Sequence, residues 1–144
     1  MAPNSKIADA RAIDREGVRI GVSQGSTTGS ELGKLLRHPG FVPAPSLKEG
    51  GRMLADGKID AYASNNAILY EMSDELPGSR VLPGRWGTER FALGIPQGRE
   101  AGRAWLENFA ESVRADGTIA RAAAHAGVRG TIDAAELKRQ GQHE

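Results

Sequence analysis

Gly17-Val18-Arg19-Ile20-Gly21-Val22, running straight into Ser23-Gln24-Gly25-Ser26-Thr27-Thr28, is the stretch that decides the fold. Residues 18–22 make a β-branched apolar run bounded by Gly17 and by a polar segment, the pattern of a buried strand. Residues 28–38 then carry Leu32, Leu35 and Leu36 on one helical face, and Pro39-Gly40 ends the pattern. A strand passing through a short polar loop into an amphipathic helix is the unit from which α/β proteins are built, so an α/β fold is expected.

The alternation continues outward. Phe41-Val42-Pro43-Ala44 reads as a strand at a sheet edge, because Pro43 has no N–H to give to a central ladder. Ser46 reads as a helix N-cap, Glu49 completes a capping-box pattern ahead of Met53 and Leu54, and Gly57 closes that helix. Ile59-Asp60-Ala61-Tyr62-Ala63 is the next strand, and either Asn65 or Asn66 caps a helix carrying Ala67, Ile68, Tyr70 and Met72. Val81-Leu82 and Phe91-Ala92-Leu93-Gly94-Ile95 are further strand candidates. Over 98–116, Ala101, Trp105, Phe109 and Val113 recur at four-residue spacing, with Leu106 and Ala110 widening the stripe, which predicts a long helix. Gly117 suits the left-handed position at its end, and Thr118 the cap of a last helix running to about Ala126; from Ala134 onward the chain is polar.

Composition removes several classes of function. The 144 residues match one domain, and 19 basic against 18 acidic side chains leave a net charge of +1 with no charge blocks, so no nucleic-acid partner is expected. Three Phe, two Trp and two Tyr are too few for a base-stacking surface. Without cysteine there are neither disulfides nor thiolate metal ligands. No apolar run approaches the ~18 residues of a membrane span, and residues 1–14 carry charges with no apolar core, so no secretory signal is expected in this chain.

Residues 23–28 are the one local pattern with chemistry in it. Between a strand and a helix, free backbone N–H groups and hydroxyls can receive an anion such as a carboxylate; equally, Ser and Thr can simply cap the helix while Gly25 makes the turn. Nucleotide motifs fail, since Gly21, Gly25 and Gly29 do not make G-x-G-x-x-G and Gly33-Lys34 lacks both the upstream glycine and the following hydroxyl. His38, His125 and His143 form no metal-binding pair, and His38 and His125 fit helix ends better, so no metal is expected. Asp56 and Asp60 flank Gly57 and read as solvated turn residues; no serine sits in a G-x-S-x-G elbow. No catalytic residue and no cofactor are therefore assigned. Trp105 and Phe109 read as packing residues, while Trp86, in Pro83-Gly84-Arg85-Trp86-Gly87, reads either as exposed at a rim or as packed within its loop.

Taken in order, residues 17–28, Leu54-Ala55-Asp56-Gly57-Lys58-Ile59-Asp60-Ala61, residues 91–95 and Arg114-Ala115-Asp116-Gly117-Thr118-Ile119-Ala120 resemble the periplasmic solute-binding proteins of polar-amino-acid ABC transporters, over roughly residues 3–130. The resemblance implies two α/β lobes joined by hinge strands that close on a ligand for a membrane permease to recognise. It divides this chain into a hinge segment at 1–15, a second lobe with its return strand at 16–95, a helical pair at 96–130 and a polar tail at 131–144. The N-terminal part of the first lobe, with its aromatic clamp and ligand-pairing arginine, has no counterpart here, and the helical pair would normally pack upon it.

On the resemblance, Ser26 and Thr27 receive the ligand carboxylate, and Asn65, with Asn66 beside it, stands where amino-acid binders place an aspartate for the ligand ammonium. The expected function is capture of a small polar solute, an amino acid or organic acid, in the periplasm or outside the cell, with an ABC permease as partner of the full-length protein. Alternatives on the same fold are a sensor, a dehydratase-like enzyme for which Glu89 and Asp60 are the nominees, and a truncated form that binds little and forms a homodimer through its exposed C-terminal helices.

Overall fold

A three-stranded parallel sheet in the order β2-β1-β3 organises the first part of the chain, seen in a computed structural model that describes residues 1–2, 5 and 7–132. The strands are β1 (Arg19–Ser23), β2 (Gly40–Ala44) and β3 (Ala61–Ala63); the helices are α1 (Thr27–Leu35), α2 (Leu47–Ala55), α3 (Asn66–Glu75), α4 (Glu100–Ala115) and α5 (Thr118–His125), and a 3-10 turn spans Ala10–Ile13. By its internal contacts the chain divides into two compact units, Met1–Thr88 and Glu89–Glu144. The mixed α/β class read from the sequence is the one found.

In the first unit β1 pairs with β2 from Arg19↔Gly40 to Ser23↔Ala44, and with β3 from Ile20↔Ala61 to Val22↔Ala63. Pro43 thus lies on an outer strand, as its missing N–H requires. Side chains alternate between the two faces. Ile20, Val22, Ala61 and Ala63 pack with Leu32 of α1 and with Ile7 and Ile13, whereas Tyr62 and Ala44 pack with Ile59 and Leu54 of α2, joined by Leu69 and Met72 of α3. Ile13, Ile20 and Ile59 are almost wholly buried, each contributing about 1.5–3 kcal/mol of hydrophobic stabilisation. Below the strands, Arg19 clasps Asp60: its backbone N–H and Nε donate to Oδ2 at 2.8 and 3.0 Å, and Nη2 to Oδ1 at 2.9 Å. Asp60 is therefore an ion-paired residue of the sheet end and not a loosely solvated turn carboxylate.

Several expectations need correction. The first helix stops at Leu35 and not at His38, because Asp14 Oδ1 accepts from the backbone N–H groups of Arg37 and His38, both at 2.9 Å, and turns the chain there. Residues 81–82 are not a strand: Leu82 packs against the first core cluster from irregular backbone. Residues 91–95 are not a strand either. Phe91, Leu93 and Ile95 show the right alternation but are exposed, Phe91 to 80%, and among the described residues no neighbouring strand meets their backbone groups.

In the second unit, α4 and α5 join at Gly117, whose φ of 75° is left-handed as expected. Thr118 is the first residue of α5 and not its cap; the Asp116 carboxylate takes the Thr118 N–H at 2.8 Å, and Thr118 Oγ1 accepts from Arg121. His125 is the last residue of α5. The Trp105 and Phe109 rings stack at 5.3 Å, yet they are 65% and 42% exposed, so they are not the buried packing pair that their spacing suggested. No described residue from 89 to 132 is buried. His143 and the tail from residue 133 lie outside the described residues, as do Pro3, Asn4 and Lys6.

Candidate functional site

The sheet order brings two loops together at one edge. From β1 the chain leaves through α1 to β2 on one side, then crosses through α2 to β3 on the other. The loops after β1 and β3 therefore emerge side by side at the carboxyl ends of adjacent strands and lead apart, the place where open α/β sheets bind ligands. Residues 24–26 and 64–65 are those loops, with Thr27 and Asn66 opening the helices that follow. Ser26 and Thr27 on one side, Asn65 and Asn66 on the other, are thus brought to one edge by the register that sets Val22 against Ala63.

The turn after β1 is closed by the Ser26 N–H donating to the Ser23 carbonyl at 3.1 Å, with Gly25 at φ 75° in its third position, where a side chain would be strained. This turn delivers Ser26 to the N-cap of α1 and leaves Thr27 exposed in its first turn. Ser26 has extended backbone angles, φ −77° and ψ 153°, as an N-cap should, but its side chain makes no cap bond. Its Oγ is buried with no hydrogen-bond partner.

The neighbouring helices behave otherwise. Ser46 Oγ accepts from Glu49 N–H at the start of α2, as the capping pattern predicts, and Asn65 Oδ1 accepts from Ile68 N–H at the start of α3, each at 3.1 Å. Asn65, not Asn66, is therefore the cap. With Oδ1 committed to α3, the group of Asn65 left over is its amide donor. Asn66 follows as the first residue of α3 and is half-buried.

Sequence reasoning missed one member of this edge. The Tyr62 hydroxyl lies 2.7 Å from Ser23 Oγ, joining β3 to the first residue of the turn. Only the pairing of Gly21 with Tyr62 reveals it, and register is not a local property of sequence. Asp60, one nominee for acid–base chemistry, is held below the usual carboxylate range chiefly by the Arg19 hydrogen bond and lies at the opposite end of β3. Glu89 belongs to the other unit and is exposed. Among the described residues no group of three His, Asp or Glu could hold a metal ion, and no helix is long and apolar enough to cross a membrane. In comparisons with protein-family models, curated proteins and solved structures, nothing matches this chain.

Proposed function

We propose that this chain is the second-lobe part of a solute-binding protein serving an ABC importer, and that the N-terminus of α1 receives the carboxylate of a small organic anion or amino-acid-like solute. The observation that carries the reading is the contrast among caps. Of the three helices that follow strands of the sheet, α1 is the one whose N-cap side chain makes no cap bond, and its hydroxyl is buried without a partner. An orphan hydroxyl of this kind costs about 1–3 kcal/mol, and an incoming oxygen at the helix terminus relieves it while meeting the positive end of the helix dipole.

The ordered resemblance of the four segments supports the same assignment. So does the donor character of the edge: the Ser26 and Thr27 hydroxyls, the first-turn N–H groups of α1 and the amide of Asn65 all suit an anion. An ammonium group would find no carboxylate in residues 64–66, so the anionic end of the solute dominates recognition.

Thermal shift against amino acids, polyamines and small carboxylates tests the proposal. The expected result is a saturable rise confined to carboxylates, worth about 2.7 kcal/mol at a hundredfold excess over Kd, and lost in Ser26→Ala. A cooperative melt unmoved by every compound overturns it. A second reading, a chain that binds little and pairs with its own copy through α4 and α5, rests on the exposed Trp105 and Phe109 rings. Sedimentation as a compact monomer with no dye-accessible apolar surface removes that reading.

A further inference from the structure

Residues 91–95 read Phe91-Ala92-Leu93-Gly94-Ile95, large and small in alternation and symmetric in size about Leu93. Every residue of the stretch is exposed, and among the described residues no strand runs beside it. A segment with a strand pattern and unpaired backbone groups is a template for another strand. One end of it is already fastened. Ile95 lies over Gly102 of α4, where an added Cβ would come within 2.8 Å of Ile95 Cδ1.

From this pattern we infer that residues 91–95 are a self-association strand, whose partner is the same segment of a second copy, antiparallel across a two-fold axis at Leu93. In such a pairing each residue must suit the one it meets, and the centre fixes which that is. Centred on Leu93, Phe91 of each copy faces Ile95 of the other, Leu93 faces Leu93, and Ala92 faces Gly94. Large then meets large on one face of the ribbon and small meets small on the other. The neighbouring centres fail: at Ala92, Glu89 meets Ile95, and at Gly94, Phe91 meets Gln97. With the centre at Leu93, Glu89 meets Gln97 and Arg90 meets Pro96, so no charge meets its like. Pro96 fits as well. When Leu93 and the Phe91–Ile95 pairs exchange backbone bonds, Pro96 falls at a non-hydrogen-bonded position, where its missing N–H is not called on. A two-stranded ribbon is marginal by itself, and here α4 backs it at Ile95. From their exposure, the three large side chains offer on the order of 300–400 Å² per copy. That is well under the ~800 Å² per partner of a standard interface, so the dimer is weak and reversible. The inference is independent of the solute site, and its seam is not the helical one of the second reading above.

The full 144-residue chain has no cysteine, so single-cysteine variants report contacts between copies. In sedimentation the wild type is expected to pass from monomer to dimer between about 10 µM and 1 mM. Leu93→Arg sets like charges face to face at the axis and should weaken dimerisation at least about tenfold. The Trp105→Ala, Phe109→Ala double variant should dimerise as the wild type does. Leu93 is exposed in the single chain, so its variants should melt as the wild type melts at low concentration. Under oxidant, Leu93→Cys should form a disulfide dimer well ahead of Phe91→Cys: facing Cα atoms of a hydrogen-bonded pair lie ~5.5 Å apart, whereas the two copies of residue 91 lie more than about 12 Å apart. A monomer across the whole range overturns the proposal. So does a dimer that Leu93→Arg leaves intact, and if the Trp105→Ala, Phe109→Ala variant loses that dimer, the seam belongs to the helices. Equal cross-linking through positions 91 and 93 overturns the two-fold register.

Discussion

Gly50 of α2 lies against the ring of Tyr62, so closely that a Cβ on Gly50 would overlap ring atoms. Gly21 of β1 also leaves the ring its room, since a Cβ there would stand 2.5 Å from Ile59 Cδ1 and 2.8 Å from Tyr62 Cδ2. A ring tethered at its hydroxyl cannot step aside as the end of a flexible side chain can. Gly50→Ala is therefore expected to lose about 1–3 kcal/mol to overpacking, against a gain of at most ~1 kcal/mol in helix propensity. Gly51→Ala is the control: its nearest neighbour is the Met72 methyl at 4.0 Å, and it should gain up to ~1 kcal/mol. Urea denaturation compares the two, and a Gly50→Ala protein as stable as Gly51→Ala would show that the slot is not tight.

The three strands and the first three helices were legible because each carries its own local signal: a β-branched run at β1, a Ser-x-x-Glu cap at α2, an asparagine before α3. Residues 91–95 carry an equally good strand signal and form none, because a strand is completed by a partner's N–H and C=O groups, and among the described residues no strand supplies them. The site divides in the same way. Ser26, Thr27 and Asn65 could be found as residues at helix starts. Whether each side chain is spent on its helix or left over could not, and neither could the meeting of Ser23 with Tyr62, which needs the β1–β3 register.

The caps give a sharp comparison. Ser46→Ala and Asn65→Ala each remove an acceptor from a first-turn N–H and should cost about 0.5–2 kcal/mol. Ser26→Ala removes a buried hydroxyl that has no partner and should leave the ligand-free protein as stable as before or more so. Thermal melts of the three variants without ligand decide it. A loss for Ser26→Ala equal to that of Ser46→Ala would mean that Ser26 is an ordinary cap, and the chief support for the anion site would go.

Trp105 and Phe109 stack on each other at 5.3 Å along an exposed face of α4. Since neither is buried, Trp105→Ala should change stability by less than about 1 kcal/mol, whereas Ile20→Ala, which empties a site in the sheet core, should cost about 2–5 kcal/mol. The Trp105→Ala, Phe109→Ala double variant should bind less of a dye that reports exposed apolar surface. A loss from Trp105→Ala as large as that from Ile20→Ala would place the indole in a covered interface in solution.

Acid should expose the electrostatic part of the stability. Asp60 is held below the usual carboxylate range by Arg19, Asp14 by the backbone N–H groups of His38 and Arg37, and Asp116 by Thr118. A carboxylate whose pKa is lower folded than unfolded stabilises the fold above its unfolded value, about 3.9 for aspartate, and the contribution is lost as pH falls through the lower, folded value. The contribution of these three carboxylates should thus hold from about pH 7 to about pH 5 and decline below. Asp60→Asn should be less stable than the parent near neutral pH, on the order of 1 kcal/mol given the half-exposed pair. The difference should shrink towards zero by about pH 2, where the parent carboxylate is protonated as well, and should narrow in about 1 M salt, which screens the partners. Melting temperatures of both proteins across this range check the sign. A gap that stays constant down to the acid end would mean that Asp60 acts through the shape of its hydrogen bonds to Arg19 and not through its charge.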